Sequence, residues 1–146
     1  MPWIRVRIRS PSGSEVETSA VANSGFMWRV RQPGGDEVSL PVINIPAPLA
    51  RRLGIAPVRY DSSSDVAGHL RVPTADLGRV EVRLVVPGRE TPWVRAWAIC
   101  IRGESRVLLS EGLMEHLRVL PFGRKWLIFG EAELREEAEP QFWTEE

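Results

Sequence analysis

The sequence predicts an all-β domain that carries one or two short helices, and three observations support this class. The first strand-like segment, Trp3–Arg9, alternates strictly between apolar residues and arginines, which is the period of a half-buried strand. Similar segments recur along the chain and are separated by turns rich in glycine, proline and serine. Helical periodicity is confined to two short stretches. Together these patterns indicate a mostly β architecture.

The predicted strands can be placed in chain order from this alternation. Strand 3–9 has isoleucine and valine on one face and three arginines on the other. After a Pro-Ser-Gly-Ser turn, strand 15–22 leads into a small polar loop at 23–25. Three later strands are predicted at 79–86, 93–101 and 125–129.

Two short helices are predicted between these strands. Residues 46–53 have proline near the start and Gly54 just past the end, which is the order that favours a helix. Residues 110–117 begin with Ser110, a favourable N-cap, and place Glu111 in the first turn.

Length and composition set the class of protein. With 146 residues, 43% of them hydrophobic, the chain has the size of one domain with a substantial core. No apolar run reaches the ~20 residues of a membrane span, and the first residues lack the apolar stretch of a signal peptide. The single cysteine, Cys100, fits a reducing compartment. We therefore expect a soluble cytoplasmic domain.

The net charge of zero conceals two opposed parts. Residues 1–130 carry 18 basic and 12 acidic residues, a net +6, and residues 131–146 carry seven glutamates and one arginine, a net −6. We expect a body domain over 1–130 and an acidic C-terminal tail over 131–146. Opposite charge predicts that the tail lies against an arginine-rich body, its own or a partner's, with Phe142 and Trp143 as apolar anchors.

Several kinds of site do not fit the sequence. His69 and His116 lack partners at zinc-ligand spacing, and the four aspartates follow no calcium-loop pattern. The chain has no glycine-rich phosphate loop and no G-x-S-x-G motif. The arginines of the first strand permit an RNA-binding barrel, but a solvated strand face is the favoured interpretation, and no nucleic-acid partner is predicted.

Three separated segments follow one another in an informative order. An apolar strand runs into Asn-Ser-Gly at 23–25, Pro-Ala-Pro-Leu-Ala-Arg-Arg-Leu-Gly follows at 46–54, and Leu-Leu-Ser-Glu-Gly-Leu-Met follows at 108–114. Over 3–128 this arrangement resembles the single-domain retropepsin-like aspartic peptidases. Their pattern is Asp-Thr/Ser-Gly after an apolar strand, a Leu-Ala-x-x-Leu-Gly helix after proline, and Leu-Leu-Gly-x-Asp-Leu-Leu opening a last helix. The resemblance implies a closed β-barrel with a flap hairpin at 66–72.

The same resemblance implies peptide-bond hydrolysis by a homodimer, on peptide or protein substrates, without metal, cofactor or membrane. One carboxylate from each subunit meets the other at the dimer axis, and the pair shares a proton because two such close charges do not both ionise. The dyad then acts as base and acid around an attacking water. By this resemblance the catalytic loop consists of Asn23, Ser24 and Gly25, and the substrate-binding residues are Phe26, Gly68 and His69.

Asn23 is the main departure from the family pattern, because the family has aspartate there. An amide neither takes up nor releases a proton near neutral pH, so the chain as written is predicted not to cleave peptides. Three explanations stay open: an introduced inactivating change, a natural pseudo-peptidase, or a turn asparagine in a domain of another kind. The alternative function is accordingly a non-catalytic pseudo-peptidase or a peptide- or protein-binding module.

Three further departures lie close to this loop in the pattern. Ser110 stands where the family has glycine, and Gly112 stands where Asp or Asn is common. Residues 27–40 contain Pro-Gly-Gly and are predicted to form a hairpin insertion that reshapes the cleft.

Overall fold

The structure, a computed structural model, describes residues 1–22, 25–55, 57–66 and 70–145, without the side chains of 62–66, 70 and 71. Over these ranges the chain forms twelve strands and two short helices. The strands are β1 Trp3–Arg9, β2 Glu15–Val21, β3 Arg29–Arg31, β4 Glu37–Ser39, β5 Val42–Asn44, β6 Ser62–Val66, β7 Leu70–Leu84, β8 Val94–Ile101, β9 Leu108–Leu109, β10 Val119–Phe122, β11 Lys125–Ile128 and β12 Arg135–Glu136. The helices are α1 Ala47–Arg52 and α2 Glu111–Leu117.

Six of the strands close into a barrel in the order β1-β2-β9-β5-β8-β7. β1 pairs with β2 on one side and with β7 on the other, both antiparallel, and the second pairing closes the ring. Two neighbouring pairs are parallel, β2 with β9 and β5 with β8, and β6 extends the sheet beyond β7. The expectation of a mostly β chain, closed into a barrel and carrying two short helices, is confirmed.

The alternation of β1 decides which of its faces lies inside the barrel. Ile4, Val6 and Ile8 are fully buried, whereas the three arginines of this strand lie on the outer face and pair with Glu17 and Glu81. Burying apolar surface contributes roughly 25 cal/mol per Å², while partly exposed ion pairs contribute little. The inward side chains, not the arginine pairs, therefore hold this strand in the barrel.

Both predicted helices form, and both bury apolar side chains in the main core. α1 buries Leu49 and Ala50. α2 begins after Ser110, whose hydroxyl accepts a hydrogen bond from the Leu113 amide at 3.1 Å, as predicted for an N-cap. Neither helix is long and apolar enough to span a membrane.

β10, β11 and β12 form a separate antiparallel sheet, here called the small sheet. The residues that follow it, 137–145, have no regular secondary structure and run across the barrel; we call them the strap. The Ala138 amide donates to the Trp3 carbonyl at 2.7 Å, and the Trp143 amide donates to the Ser105 carbonyl at 2.8 Å. The acidic tail therefore lies against the body of its own chain.

The two aromatic residues of the strap contribute unequally to this docking. Trp143 is half-buried against the main core, and its indole N–H donates to the Thr18 hydroxyl at 3.0 Å. Phe142 is 56% exposed and touches the body through an edge-to-face contact with Trp3, with ring centroids 5.4 Å apart. Trp143 is the main anchor, and Phe142 rests on the surface.

Candidate functional site

The strands of the three sequence segments of the family pattern are neighbours in the barrel. Strand β9 lies between β2 and β5, with Leu108 opposite Val21 and Leu109 opposite Ile43. The Val21 amide also donates to the Val107 carbonyl at 2.8 Å. Because β2 and β9 are parallel, the end of β2 and the start of α2 lie at the same end of these strands. β5 is antiparallel to β9, so α1, which follows β5, begins at the opposite end.

The backbone on both sides of the loop is fixed by hydrogen bonds. The Ala22 amide donates to the Pro2 carbonyl at 2.9 Å, and the Glu111 amide donates to the Phe26 carbonyl at 3.0 Å. Between these points Gly25 has a φ of +77°, a left-handed conformation that favours glycine, and it is exposed. Asn23 and Ser24, the first two residues of the expected catalytic loop, lie outside the described residues.

An apolar layer lies next to the loop, and we call it the apolar floor. Phe26 is one of its members and is only 5% exposed. Substrate contact by Phe26 stays a prediction, and its side chain is placed in the floor rather than on the surface. The floor consists of Val21, Phe26, Val42, Ile99, Ile101 and Leu108, with Trp3, Trp28, Leu40 and Val72 packed against it.

The predicted hairpin insertion forms, with β3 and β4 as its arms. At its base the Leu40 amide donates to the Trp28 carbonyl at 2.8 Å, and both side chains pack on the apolar floor. Val30 and Val38 are directly opposite each other further along the arms, on the same face as that pair. The insertion therefore continues the apolar surface from the floor outward, where Val30 is 41% exposed.

Ser110 ties the insertion to helix α2 and to β5. Its hydroxyl donates to the Leu40 carbonyl at 2.9 Å and accepts from the Val42 and Leu113 amides at 2.9 and 3.1 Å. A side chain that is 0% exposed and makes three hydrogen bonds is costly to replace, since each lost bond leaves a buried polar group unpaired. Glycine at this position would supply none of these bonds.

Gly112 is required by the same insertion. A Cβ atom at this position would lie 2.5 Å from the Leu40 carbonyl oxygen and 2.8 Å from the Ser39 carbonyl oxygen. Backbone atoms at that distance leave no space for any side chain. The two departures from the family pattern at 110 and 112 thus both accommodate the end of the insertion at Leu40.

Asn44 is a buried polar residue that the sequence analysis did not single out. Its amide nitrogen donates to the Arg106 carbonyl at 2.8 Å, and its amide oxygen accepts from the Ile101 amide at 2.8 Å. It is 0% exposed and bridges β5 to the ends of β8 and the segment before β9. In the sequence, its position between two isoleucines in Val-Ile-Asn-Ile is the pattern that indicates a buried polar residue.

The flap predicted at 66–72 corresponds to the paired ends of β6 and β7. The two strands are antiparallel, with Val66 opposite Leu70, and Val72 packs against the apolar floor. Gly68 and His69, the predicted substrate-binding residues, lie outside the described residues.

A separate cavity of about 350 Å³ lies beneath the strap and is lined by Tyr60, Cys100, Trp143 and Glu145 among others. The Tyr60 hydroxyl and the Cys100 sulfur are 3.4 Å apart. Burial raises the pKa of the Cys100 thiol, and burial together with the contact to Cys100 raises the pKa of Tyr60 to about 12. Both groups are therefore neutral near pH 7, and the thiol is poorly suited to act as a nucleophile.

Within the described residues, no group of three or more His, Cys, Asp and Glu side chains is placed to hold a metal ion. No protein-family model, no curated protein and no solved structure matches the chain. The resemblance to the retropepsin-like peptidases therefore rests on the residues of this chain and on their arrangement.

Proposed function

We propose that the chain is a retropepsin-like domain that works as a homodimer and holds a peptide in a cleft over the paired 23–25 loops. The reaction of such a site is the hydrolysis of a peptide bond by a water molecule, without a metal ion or a cofactor. With asparagine at position 23, this chain binds peptides and does not cleave them.

The observation that carries this proposal is that the strands of the three motif segments are neighbours in the barrel and that the residues after β2 lie beside the start of α2. The segments are separated in sequence by about twenty and about fifty residues, yet β9 lies between β2 and β5. The Glu111 amide, at the start of the last motif helix, binds the carbonyl directly after Gly25. A loop held from two sides by the backbone is suited to present one side chain to a symmetric partner.

The chemistry of residue 23 decides between cleavage and binding. An aspartate pair with one shared proton supplies both a base for the water and an acid for the leaving amine. An asparagine pair has nearly the same shape and hydrogen-bonding capacity, but no group that exchanges a proton. The Asn23 form therefore keeps the shape of the cleft and loses the reaction.

The non-catalytic alternative, a peptide- or protein-binding module, is favoured by the insertion. Ser110 and Gly112 both fit the backbone of Leu40, so the insertion is built into the packing of this chain rather than added at a loose surface loop. The apolar face of the insertion extends the apolar floor outward past Val30, and such a surface suits contact with an extended peptide.

The test is an Asn23→Asp variant incubated with a peptide library at about pH 4 to 6, where a carboxylate dyad shares one proton, with cleavage read by mass spectrometry. We expect cleavage by Asn23→Asp and none by the chain as written or by a matched Asn23→Ala variant. The chain as written and Asn23→Asp should bind the same peptides. If Asn23→Asp is folded and dimeric but cleaves nothing, the peptidase proposal is wrong. The measurement of peptide binding then tests only the alternative function, a peptide- or protein-binding module.

A further inference from the structure

The outer side of the barrel along β7 and β8 carries arginine and tryptophan side by side. Alternate residues of both strands are buried in the main core, so the residues between them lie on the outside. The register places Arg79 opposite Trp97 and Glu81 opposite Arg95. We call the surface formed by these four residues the arginine–tryptophan face.

The two arginines of this face have no carboxylate partner among the described residues. Glu81 is turned toward β1, where Arg9 donates to its Oε1 atom from Nε and Nη2 at 3.1 and 3.0 Å. Arg95 therefore has no counter-charge from the residue opposite it. Arg79 lies instead with its guanidinium 4.9 Å from the centre of the Trp97 ring. Two neighbouring exposed cations without counter-charges attract an anion.

Two cavities flank this pair of arginines. One, of about 290 Å³, reaches toward Arg9 on β1. The other, of about 220 Å³, reaches toward Pro41 and the Trp97 ring. Arg79 and Arg95 line both cavities. Because the cavities meet at the two guanidinium groups, the site suits an extended anion better than a single small ion.

Trp97 adds a second kind of contact to this cationic site. It is 42% exposed, so part of its ring is open to a planar ligand. Proteins bind single-stranded nucleic acid without sequence preference by combining basic residues on the backbone with aromatic rings on which bases stack. Guanidinium groups also match phosphate oxygens in bidentate geometry. An acidic peptide would use the arginines but needs no exposed indole.

The arginines of β1 do not form a comparable site. Arg5 and Arg7 pair with Glu17, and Arg9 pairs with Glu81, which fits the solvated strand face that the sequence favours. The hydrogen bonds of the acidic strap run to β1, β2 and the segment before β9. The cations that lack a counter-charge are therefore those of β7 and β8, away from the contacts of the strap.

We propose that the arginine–tryptophan face binds single-stranded nucleic acid, with phosphate groups on Arg79 and Arg95 and a base stacked on Trp97. The site is separate from the 23–25 loop, so it depends neither on the proposed peptide cleft nor on dimerisation. Sequence-independent binding of this kind predicts a dissociation constant on the order of 10–100 µM at about 50 mM salt. Two phosphate contacts predict that the logarithm of the association constant falls with the logarithm of the salt concentration with a slope of about −1.4.

The first test is fluorescence anisotropy of a fluorescein-labelled oligothymidylate of about 12 nucleotides, titrated with the full chain at about 50 mM salt. We expect binding that an Arg79→Gln/Arg95→Gln double variant weakens by about tenfold or more. The matched control is Arg31→Gln/Arg124→Gln, which removes two charges from side chains that are 73% and 88% exposed elsewhere on the surface. It should change the dissociation constant by less than about twofold. A wild-type chain that shows no binding up to about 500 µM would overturn the proposal, as would equal weakening by both double variants.

A comparison of ligands tests the base contact on the wild-type chain, so it holds even if the double variant misfolds. An abasic strand of the same length keeps the phosphates, and decaglutamate keeps only the negative charge. We expect both to bind about fivefold or more weakly than the oligothymidylate, and Trp97→Ala to remove the difference between the normal and abasic strands. If decaglutamate binds as tightly as the oligothymidylate, the face is a site for acidic peptides and the nucleic-acid proposal is wrong. Equal binding of the abasic strand to the wild-type chain would contradict the stacking on Trp97.

Discussion

Leu40 explains two residues that depart from the family pattern. Its carbonyl oxygen accepts the Ser110 hydroxyl at 2.9 Å and lies where a Cβ of residue 112 would stand. Serine at 110 supplies the donor for this carbonyl, and glycine at 112 leaves it room. Ser110 also caps helix α2, whereas glycine at 112 is not a local preference of that helix. Both residues fit a backbone segment that arrives from the insertion, about seventy residues earlier in the chain.

A Gly112→Ala variant tests this account at the scale of one residue. Within a helix, alanine is normally more stable than glycine by roughly 0.5–1 kcal/mol. Here the added methyl group would meet the Leu40 carbonyl at 2.5 Å, so we expect the free energy of unfolding to fall by about 1–3 kcal/mol. Urea unfolding followed by circular dichroism measures the change.

Glu115→Ala is the matched control for this variant, since it introduces alanine at an exposed position of the same helix. Its free energy of unfolding should stay within about 0.5 kcal/mol of wild type. If Gly112→Ala is instead as stable as wild type or more so, helix propensity outweighs the clash, and the insertion is not held against α2 as described.

At the scale of elements, long alternating strands are predictable from sequence and short paired strands are not. β1 forms with the predicted bounds. The bounds of β2, β8 and β11 each differ from their predicted bounds by one residue. The strand predicted at 79–86 corresponds to the second half of β7, which begins at Leu70 and ends at Leu84. The first half is not predicted because Pro73 and Gly78 interrupt the alternation. The two-residue strands β9 and β12 leave no period to detect, since their pairing depends on distant neighbours.

The end of the strap is held by an ion pair whose charge state depends on pH. Arg51 donates to both carboxylate oxygens of Glu145, at 3.2 and 2.8 Å. The side-chain hydrogen bond from Arg51 lowers the pKa of Glu145. A carboxyl whose pKa is lower in the folded state stabilises that state above its unfolded pKa of about 4.3, and the contribution is lost as the pH falls through the folded pKa.

We therefore expect the strap to loosen when the pH falls below about 4.3 and to stay docked near neutrality. The measurement is hydrogen exchange of the Trp143 amide, which donates to the Ser105 carbonyl, between about pH 3 and 6, corrected for the intrinsic rate. In Glu145→Gln the protection at pH 6 should be lower and its change with pH smaller. A Trp143 amide with the same pH profile in wild type and Glu145→Gln would show that this ion pair does not control docking.

At the scale of the whole molecule, the sequence predicts the class of fold but not the pairing of its strands. The alternation of apolar and polar residues predicts the mostly β class, and the order of the three segments predicts a closed barrel and a site at the loop after β2. Closure of the ring by β1 and β7, and the position of β9 between β2 and β5, are long-range pairings that no local pattern encodes. Asn44 was missed for this reason, since its amide bonds to partners about sixty residues away.

The opposed charges of body and tail give the last prediction. Deleting 137–146 removes four glutamates and no basic residue, so the net charge rises from 0 to +4. It also removes the contacts of Trp143 with Thr18 and Ser105, which should lower the free energy of unfolding by at least about 2 kcal/mol.

The matched control keeps the strap and replaces the same four glutamates by glutamine. Both variants should be retained on heparin in a salt-dependent way, because both carry the same excess of arginine. Only the deletion should lose most of the stability, because a glutamine side chain at 137 still offers an oxygen to the Trp3 amide and Trp143 is unchanged. Equal stability of the deletion and the control would mean that the strap acts through its charge and not through its packing.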